Sequence, residues 1–327
     1  MKVLVLGATG FIGGHIARAA IEAGWQVSGL RRTAGTTGHL QGVRLQWIQG
    51  NLEDPESLEK AMQGMDLVFH AAAYYPRRRD RSSVATHIER GVRQTTNVLT
   101  CARSAGISRL VYTSTLTTIG RPPQGAGRLA NEDDFYQPGS QAKSAYTEAK
   151  FAMEQAVIDA AQDGLPAVIL NPTAVFGPGD VHLTLSSLLI AVARGWAIAW
   201  LPAVINVIDV RDVAQAHIQA ARLGKPGERY ILGGYNFSLK ETLDLATGIA
   251  GVKPPRVKIP LWLVDGLIRI DDLLPFVNLS GNHLRGIRNW QGYDTTKAKT
   301  ELALMPRPFN ETVKEALIWL RANGHLP

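Results

Sequence analysis

The sequence predicts an α/β protein built on a doubly wound parallel sheet, with a smaller C-terminal lobe. Three observations carry that expectation. Apolar, β-branched runs alternate with helical patterns through the first half of the 327 residues. A glycine-rich loop joins the first such run to the first helix. After Pro172 the alternation gives way to shorter elements separated by Pro and Gly.

The strand-like runs are Lys2–Leu6, Gln26–Leu30, Leu45–Gln49, Leu67–His70, Leu110–Thr113 and Ala167–Leu170. Helical patterns cover residues 11–23, 55–63, 84–105 and 140–163. Strands that are apolar almost throughout are buried on both faces, as in a parallel sheet covered by helices on each side. In the second half, Leu185, Leu188, Leu189 and Val192 fall at i, i+3, i+4 and i+7, the spacing of an amphipathic helix. Val204–Val210 then reads as a strand, and Val213–Arg222, Ser238–Ala250 and Glu311–Arg321 read as helices.

Composition narrows the class. Apolar residues make up 45% and charged residues 19%, which excludes disorder and a collagen-like fibre. One cysteine, Cys101, can form neither an internal disulfide nor a cysteine-based zinc site, which suits a reducing compartment. The apolar run before Gly7 is shorter than a signal peptide needs, so a cytoplasmic location is expected. The longest weakly charged stretch, Val181 to Ile208, carries Arg194 centrally and is broken by Gly195 and Pro202, so no membrane span is expected. The net charge of +7 is concentrated locally. Arg77, Arg78, Arg79 and Arg81 flank one Asp80, and Arg31 is followed by Arg32. No basic face with interleaved aromatics is present, so nucleic acid is not an expected partner.

The loop Gly7-Ala8-Thr9-Gly10-Phe11-Ile12-Gly13 follows the first strand and opens the first helix. Gly7 allows a tight turn, Gly10 lets backbone approach a pyrophosphate, and Gly13 lets helix pack close to strand. Free N–H groups at the helix start complete an anion site, so a dinucleotide cofactor is expected. The second strand ends in Arg31-Arg32, with no acidic residue until Glu53. An acidic side chain there would bind the ribose hydroxyl of NAD, whereas a guanidinium suits the 2′-phosphate of NADP. NADP(H) is favoured, with NAD(H) possible. Residues 1–171 with about 204–222 are therefore read as the dinucleotide-binding unit. About 172–203 and 223–327 are read as the substrate lobe.

Tyr146 and Lys150 stand one helical turn apart on one face. A nearby ammonium favours phenolate and brings a tyrosine into range for acid–base work. Val111–Thr115 is an apolar strand ending in hydroxyls upstream of that helix, and Thr115 could hydrogen-bond a carbonyl oxygen while Tyr146 supplies the proton. Nothing in the sequence points to a metal or to an activated nucleophile. The eight histidines are scattered.

With these residues in view, the chain resembles the extended short-chain dehydrogenase/reductases over nearly its whole length. The resemblance rests on the Gly7–Gly13 loop, Gly50-Asn51-Leu52, Phe69–Ala73, Thr113–Thr115, Tyr146–Lys150, Asn171-Pro172 with Gly177-Pro178, and Val210–Ala214. It implies a Rossmann-type fold, a catalytic set of Thr115, Tyr146 and Lys150, and Lys150 also holding the nicotinamide ribose. It further implies cofactor contacts from Thr9, Phe11, Ile12, Asn51, Leu52, Ala71, Ala72, Ala73, Thr113, Asn171 and Pro172. Within that group it is most similar to the dihydroflavonol 4-reductase-like branch, which includes bacterial proteins named hopanoid-associated sugar epimerases. The carriers are Asn171–Asp180, Gly227–Gly234 and Asp294–Ala298. Two departures stand out. Gly91 and Gln94 occupy positions where relatives carry Asn and Gly, and Leu6 replaces a common Thr.

The resemblance leaves three activities open. One is an NADP(H)-dependent carbonyl reductase or alcohol dehydrogenase. A second is a sugar or nucleotide-sugar epimerase or dehydratase that retains its cofactor. The third, a non-catalytic NADP-binding regulator, predicts loss of the Tyr/Lys pair, which is present. Leu116-Thr117 stand where a dehydratase would carry acidic residues, and Ala203–Ile208 lack the Arg expected to hold a diphosphate. Arg285, Arg288 and the Arg77–Arg81 loop remain as cationic candidates. Apolar bulk at Trp196, Trp200, Leu201, Pro260–Val264 and Leu273–Val277 suits a hydrophobic carbonyl or alcohol substrate. The reductase reading leads. Related enzymes imply a homodimer through the helices near 84–105 and 140–163.

Overall fold

The computed structural model describes residues 1–72, 74, 82–140, 144–273 and 290–327. Its first half alternates β1 (Lys2–Leu6), α1 (Phe11–Glu22), β2 (Gln26–Arg31), β3 (Gln46–Gln49), α2 (Pro55–Met62), β4 (Leu67–His70), α3 (Val84–Ser104), β5 (Arg109–Thr113), α4 (Ala145–Gln162) and β6 (Ala167–Pro172). The second half contributes β7 (Ala174–Phe176), α5 (Ser186–Ala193), β8 (Ala199–Trp200), β9 (Val204–Asp209), α6 (Val210–Leu223) and β10 (Arg229–Leu232). After these come β11 (Tyr235–Ser238), α7 (Leu239–Ala250), β12 (Val257–Lys258), α8 (Leu261–Leu273), α9 (Thr296–Glu301) and α10 (Phe309–Ala322).

The main sheet has seven parallel strands in the order β10-β6-β5-β4-β1-β2-β3. Alternate residues of β1 serve opposite faces. Val3 and Val5 join a core with Ile16, Phe69, Val111 and Val213, whereas Leu4 and Leu6 join a second core with Leu58, Val98, Leu110 and Val157. Both faces of each strand are therefore apolar, which explains the unbroken hydrophobic runs. Leu6, one of the departures, is fully buried in the second core. The chain leaves β1 toward β2 on one side and returns to β4 on the other. That reversal opens a crevice beyond the C-terminal ends of β1 and β4, where doubly wound sheets bind ligands.

The structure differs from the sequence reading at several elements. Helix α4 starts at Ala145 rather than near 140, because the Ser144 hydroxyl accepts the Thr147 N–H at 3.3 Å and sets the boundary. Segment 204–222, read as one piece of the dinucleotide-binding unit, divides. Helix α6 packs on α1, whereas β9 pairs with β7 and β11 in a separate three-stranded sheet. The seventh main-sheet strand is β10, four residues between glycines that carried no clear periodic signal. Helix α6 also begins three residues earlier than expected, since the Asp209 carboxylate accepts the Arg211 N–H at 2.7 Å. Among the described residues no helix is long and apolar enough to cross a membrane.

One of the tightest constraints on this architecture is at Gly13. A Cβ placed there would lie 2.2 Å from the Gly7 carbonyl oxygen, backbone against backbone. Gly13→Ala is expected to cost about 1–3 kcal/mol of stability through overpacking. Gly248→Ala, in the exposed interior of α7 with nothing within 4 Å, is expected to gain up to about 1 kcal/mol from helix propensity. Urea unfolding of both variants checks the pair.

Candidate active site

Gly7 adopts φ +89°, and a side chain there would press within 2.8 Å of the Ala71–Ala72 backbone at the end of β4. Helix α1 begins at Gly10 with no side-chain cap and no acidic residue in its first turn. The N–H groups of Phe11, Ile12 and Gly13 are left without intrahelical acceptors beside the crevice. A bare glycine turn with free donors at a positive helix end fits the pyrophosphate of a dinucleotide.

The chain after β2 folds back over this turn. Gly38 packs against the Thr9 carbonyl so closely that a Cβ would sit 2.1 Å from it. The His39 ring Nε2 lies 3.1 Å from the Phe11 carbonyl, and His15 Nε2 lies 2.9 Å from that of Pro178. The two rings lie 4.6 Å apart, tilted by 34°; burial together with His39 lowers the His15 pKa to about 4, and burial moves that of His39 in the same direction. Arg31 closes β2 with its guanidinium 5.3 Å from the centre of the Trp47 ring, while Arg32 is exposed. Asn51 is exposed in the turn after β3, and the half-buried Leu52 offers its carbonyl to Asn97 Nδ2 at 2.9 Å.

On the other side of the crevice, α4 packs against the turn that follows β5. Thr115 opens that turn, and its hydroxyl accepts the Thr117 N–H at 3.4 Å. Tyr146 lies half-buried in the first turn of α4. Lys150, one turn further, is buried, with its ammonium 5.8 Å from the centre of the Tyr112 ring. Desolvation lowers the Lys150 pKa to about 8, opposed by the nearby Glu154 carboxylate. His70, at the end of β4, meets Tyr112 edge-on at 5.3 Å, and burial with the Lys150 charge lowers its pKa to about 3. Both His70 ring nitrogens, the Tyr112 hydroxyl and the Ser114 hydroxyl are buried without a hydrogen-bond partner. The lysine is thus walled by polar groups that can take bound water.

Beneath Thr115 lies a buried network. Asn171 Nδ2 is 3.2 Å from the Thr115 carbonyl, 2.9 Å from the Thr118 hydroxyl and 2.6 Å from Glu154 Oε2. Thr118 also donates to Glu154 at 2.7 Å, and the other Glu154 oxygen meets Arg229 Nε at 3.0 Å. Arg229 donates further to the Glu132 and Thr118 carbonyls at 2.8 and 3.0 Å. The side chain of Asn171, expected at the cofactor, is therefore engaged in holding the Thr115 turn. Thr113 likewise directs its hydroxyl to His217 Nε2 at 2.8 Å. Pro172 ends β6, buried opposite Leu232. Ala73, Arg77–Arg81, Arg285 and Arg288 lie outside the described residues.

Sequence reasoning missed Glu154 and Arg229. Glu154 follows Lys150 by four residues and Tyr146 by eight, so helical spacing alone places it on their face. Arg229 had no comparable signal, since its partner on α4 lies far away in the chain. The Gly91 departure also acquires a reason. A Cβ there would meet Met153 Sδ at 2.9 Å, so Met153 fills the space that a larger residue would take. Gln94 instead reaches Glu53 at 3.0 Å.

Two cavities have neither Tyr146 nor Lys150 in their linings. The larger, about 420 Å³, lies behind α1, and Arg211 and Arg307 in its wall are paired with Asp209 and Asp212. The smaller, about 300 Å³, is lined by Leu201, Pro202, Leu261, Val264 and Trp290, with Arg121 and Gln291. Gln291 donates to the Gly120 carbonyl at 2.7 Å, which ties this wall to the segment that leaves the Thr115 turn.

Because Glu154 and Arg229 are nearly inaccessible, removing one charge strands the other. Glu154→Ala is expected to cost about 3–5 kcal/mol, while Glu154→Leu combined with Arg229→Met recovers most of it. Urea denaturation of the single and double variants measures the difference.

Comparison with known proteins agrees with this geometry. A family model described as the NAD dependent epimerase/dehydratase family matches residues 3–233. A Synechocystis protein provisionally named dihydroflavonol 4-reductase is 33% identical over 98% of this chain and 95% of its own length. The sterol demethylase protein B of Methylococcus capsulatus is 29% identical over 99% of each chain. Among solved structures, gox2253 superposes with a TM-score of 0.88 at 31% identity, covering 100% of this chain and 99% of that one. A Pseudomonas aeruginosa nucleoside-diphosphate-sugar epimerase gives 0.85 at 25% identity with the same coverage. From the seven-stranded parallel sheet to the glycine turn, the chain belongs to the NAD-dependent epimerase/dehydratase family, the extended short-chain dehydrogenase/reductases.

Proposed function

We propose that this chain is an NADP(H)-dependent carbonyl reductase or alcohol dehydrogenase acting on a largely apolar substrate. The observation that carries the reading is the buried Lys150 one turn from Tyr146, against the turn that presents Thr115. The bound nicotinamide dinucleotide supplies the hydride donor or acceptor. The Gly7–Gly13 turn holds its pyrophosphate, and Arg31, steadied over Trp47, meets the 2′-phosphate. Thr115 donates a hydrogen bond to the substrate carbonyl oxygen, and Tyr146 delivers the proton to that oxygen. The Lys150 ammonium favours the phenolate left behind and holds the nicotinamide ribose. Apolar walls at Leu201, Leu261, Val264 and Trp290 exclude water from an apolar substrate. The relatives named as reductases support this reading. They include 2-alkyl-3-oxoalkanoate reductase of Stenotrophomonas maltophilia, 32% identical over 79% of this chain.

NADPH absorbance followed with hydrophobic aldehydes, ketones and flavanonols is the test. Stoichiometric NADPH loss, reduced at least about 100-fold in Tyr146→Phe, is the expected result. Tight NADP(H) binding with no turnover of any carbonyl would replace the proposal with epimerisation on a retained cofactor. Arg31→Ala is expected to weaken NADPH binding about 10- to 100-fold, the range of a lost charge-assisted hydrogen bond, and to leave NADH binding unchanged. Fluorescence titration of the two cofactors reads the ratio.

The lowered Lys150 pKa has opposite consequences for rate and stability. The reduction rate falls as pH rises through about 8, because the ammonium is lost. Stability moves the other way. A lysine with its folded pKa depressed binds fewer protons than in the unfolded chain between about 8 and 10.5. The burial cost is complete below about 8 and is relieved above it. A pH–rate profile beside urea unfolding at each pH should show activity falling while this contribution to stability rises.

A further inference from the structure

The active site leaves unused an exposed surface on the second half of the chain, made by the loop before β8, by β12 and by the first turn of α8. Trp196, Ile198, Val257, Trp262 and Leu263 are 65%, 68%, 55%, 72% and 41% exposed there, an unusual concentration of large apolar side chains in water. The backbone makes them neighbours. The Arg256 and Val257 N–H groups both donate to the Ile198 carbonyl, at 3.1 and 3.2 Å. Val257 pairs with Ala199 and Lys258 with Trp200, and the Ile259 N–H donates to the Trp200 carbonyl at 2.9 Å just before α8.

Charge on this surface is predominantly positive, with the half-buried Asp265 of α8 as the neighbouring acid. Segments 194–202 and 251–264 carry Arg194, Lys253, Arg256 and Lys258 and contain no Asp or Glu. All four cations are exposed. Arg194 lies 5.0 Å from the centre of the Trp196 ring, and Lys258 lies 5.5 Å from that of Trp200. Indoles and aliphatic side chains set among cations that outnumber the one nearby acid, Asp265, match the boundary of an anionic bilayer, where tryptophan seats at headgroup depth and cations meet phosphates. A second copy of the chain is a poorer occupant. A two-fold contact would set the same four cations against themselves, with only Asp265 nearby to offset them.

We infer that this surface docks the protein on an anionic lipid bilayer. The inner sides of the same two segments, at Leu201, Pro202, Leu261 and Val264, wall the 300 Å³ cavity. Docking therefore sets the cavity beside the lipid phase, and the substrate class becomes a bilayer-dissolved apolar carbonyl or alcohol. That last step rests on the reductase reading; the docking does not.

Co-sedimentation of the full chain separates the two. Vesicles of phosphatidylcholine alone are compared with vesicles of equal parts phosphatidylcholine and phosphatidylglycerol. The expected result is binding to the anionic vesicles, with a blue shift of indole fluorescence and weakening as salt rises. Lys253→Gln with Arg256→Gln should lower partitioning about fivefold for each cation removed. Trp196→Ser with Trp262→Ser should abolish the blue shift while far-UV circular dichroism and NADPH binding stay unchanged. No co-sedimentation with either vesicle overturns the inference, as does binding that both double variants leave intact. A dimer in sedimentation velocity that dissociates in the Trp196→Ser, Trp262→Ser variant overturns it in favour of a second copy. Failure of the reductase reading would appear instead as absent NADPH turnover with vesicle binding preserved.

Discussion

The ion pair between Glu154 and Arg229 joins elements that the sequence keeps far apart. Glu154 belongs to the helix that carries Tyr146 and Lys150, and Arg229 to the strand that closes one edge of the main sheet. Both are almost wholly removed from water, so each charge requires the other. Thr118 and Asn171 complete the satisfaction of the carboxylate, and in doing so they fix the turn that presents Thr115. Placement of the Thr115 hydroxyl is thereby coupled to closure of the sheet edge. Loosening of β10 would be felt at Thr115 through three hydrogen-bonded residues.

The two sides of the crevice solve different physical problems. On the glycine-turn side, side chains are absent so that backbone donors can approach an anion, and the half-buried His15 and His39, whose charged forms desolvation disfavours, brace the turn. On the Tyr146 side, a single ammonium is kept in a desolvated place. Its surroundings hold polar atoms without protein partners at His70, Tyr112 and Ser114. A low-dielectric setting strengthens the effect of the ammonium on a nearby phenol and makes its proton easier to lose. Rate and proton affinity at this site are consequently linked.

Much of the fold was legible because it depends on local patterns. β1, β4 and α1 were readable within a residue or so from apolar runs, and the glycine turn from its place between strand and helix. Expectations failed where pairing over long distance decides the outcome. β9 has the composition of a main-sheet strand, yet it pairs with β11 and β7. β10 is only four residues long and earns its place by lying beside β6. At the site, Thr113 and Asn171 were read as cofactor contacts because they sit in the right motifs. Their side chains turn to His217 and to Glu154, partners on other elements.

The amino-acid sequence by itself determined the alternating sheet and helices, the glycine turn and the one-turn spacing of Tyr146 and Lys150, since each is set within a dozen residues by periodicity and by glycine. Only the tertiary structure decided which strand closes the sheet, which polar groups surround Lys150 and that Met153 occupies the space beside Gly91. Burial, desolvation and the pairing of isolated charges arise from residues distant in the chain, and no local pattern records which of them will meet.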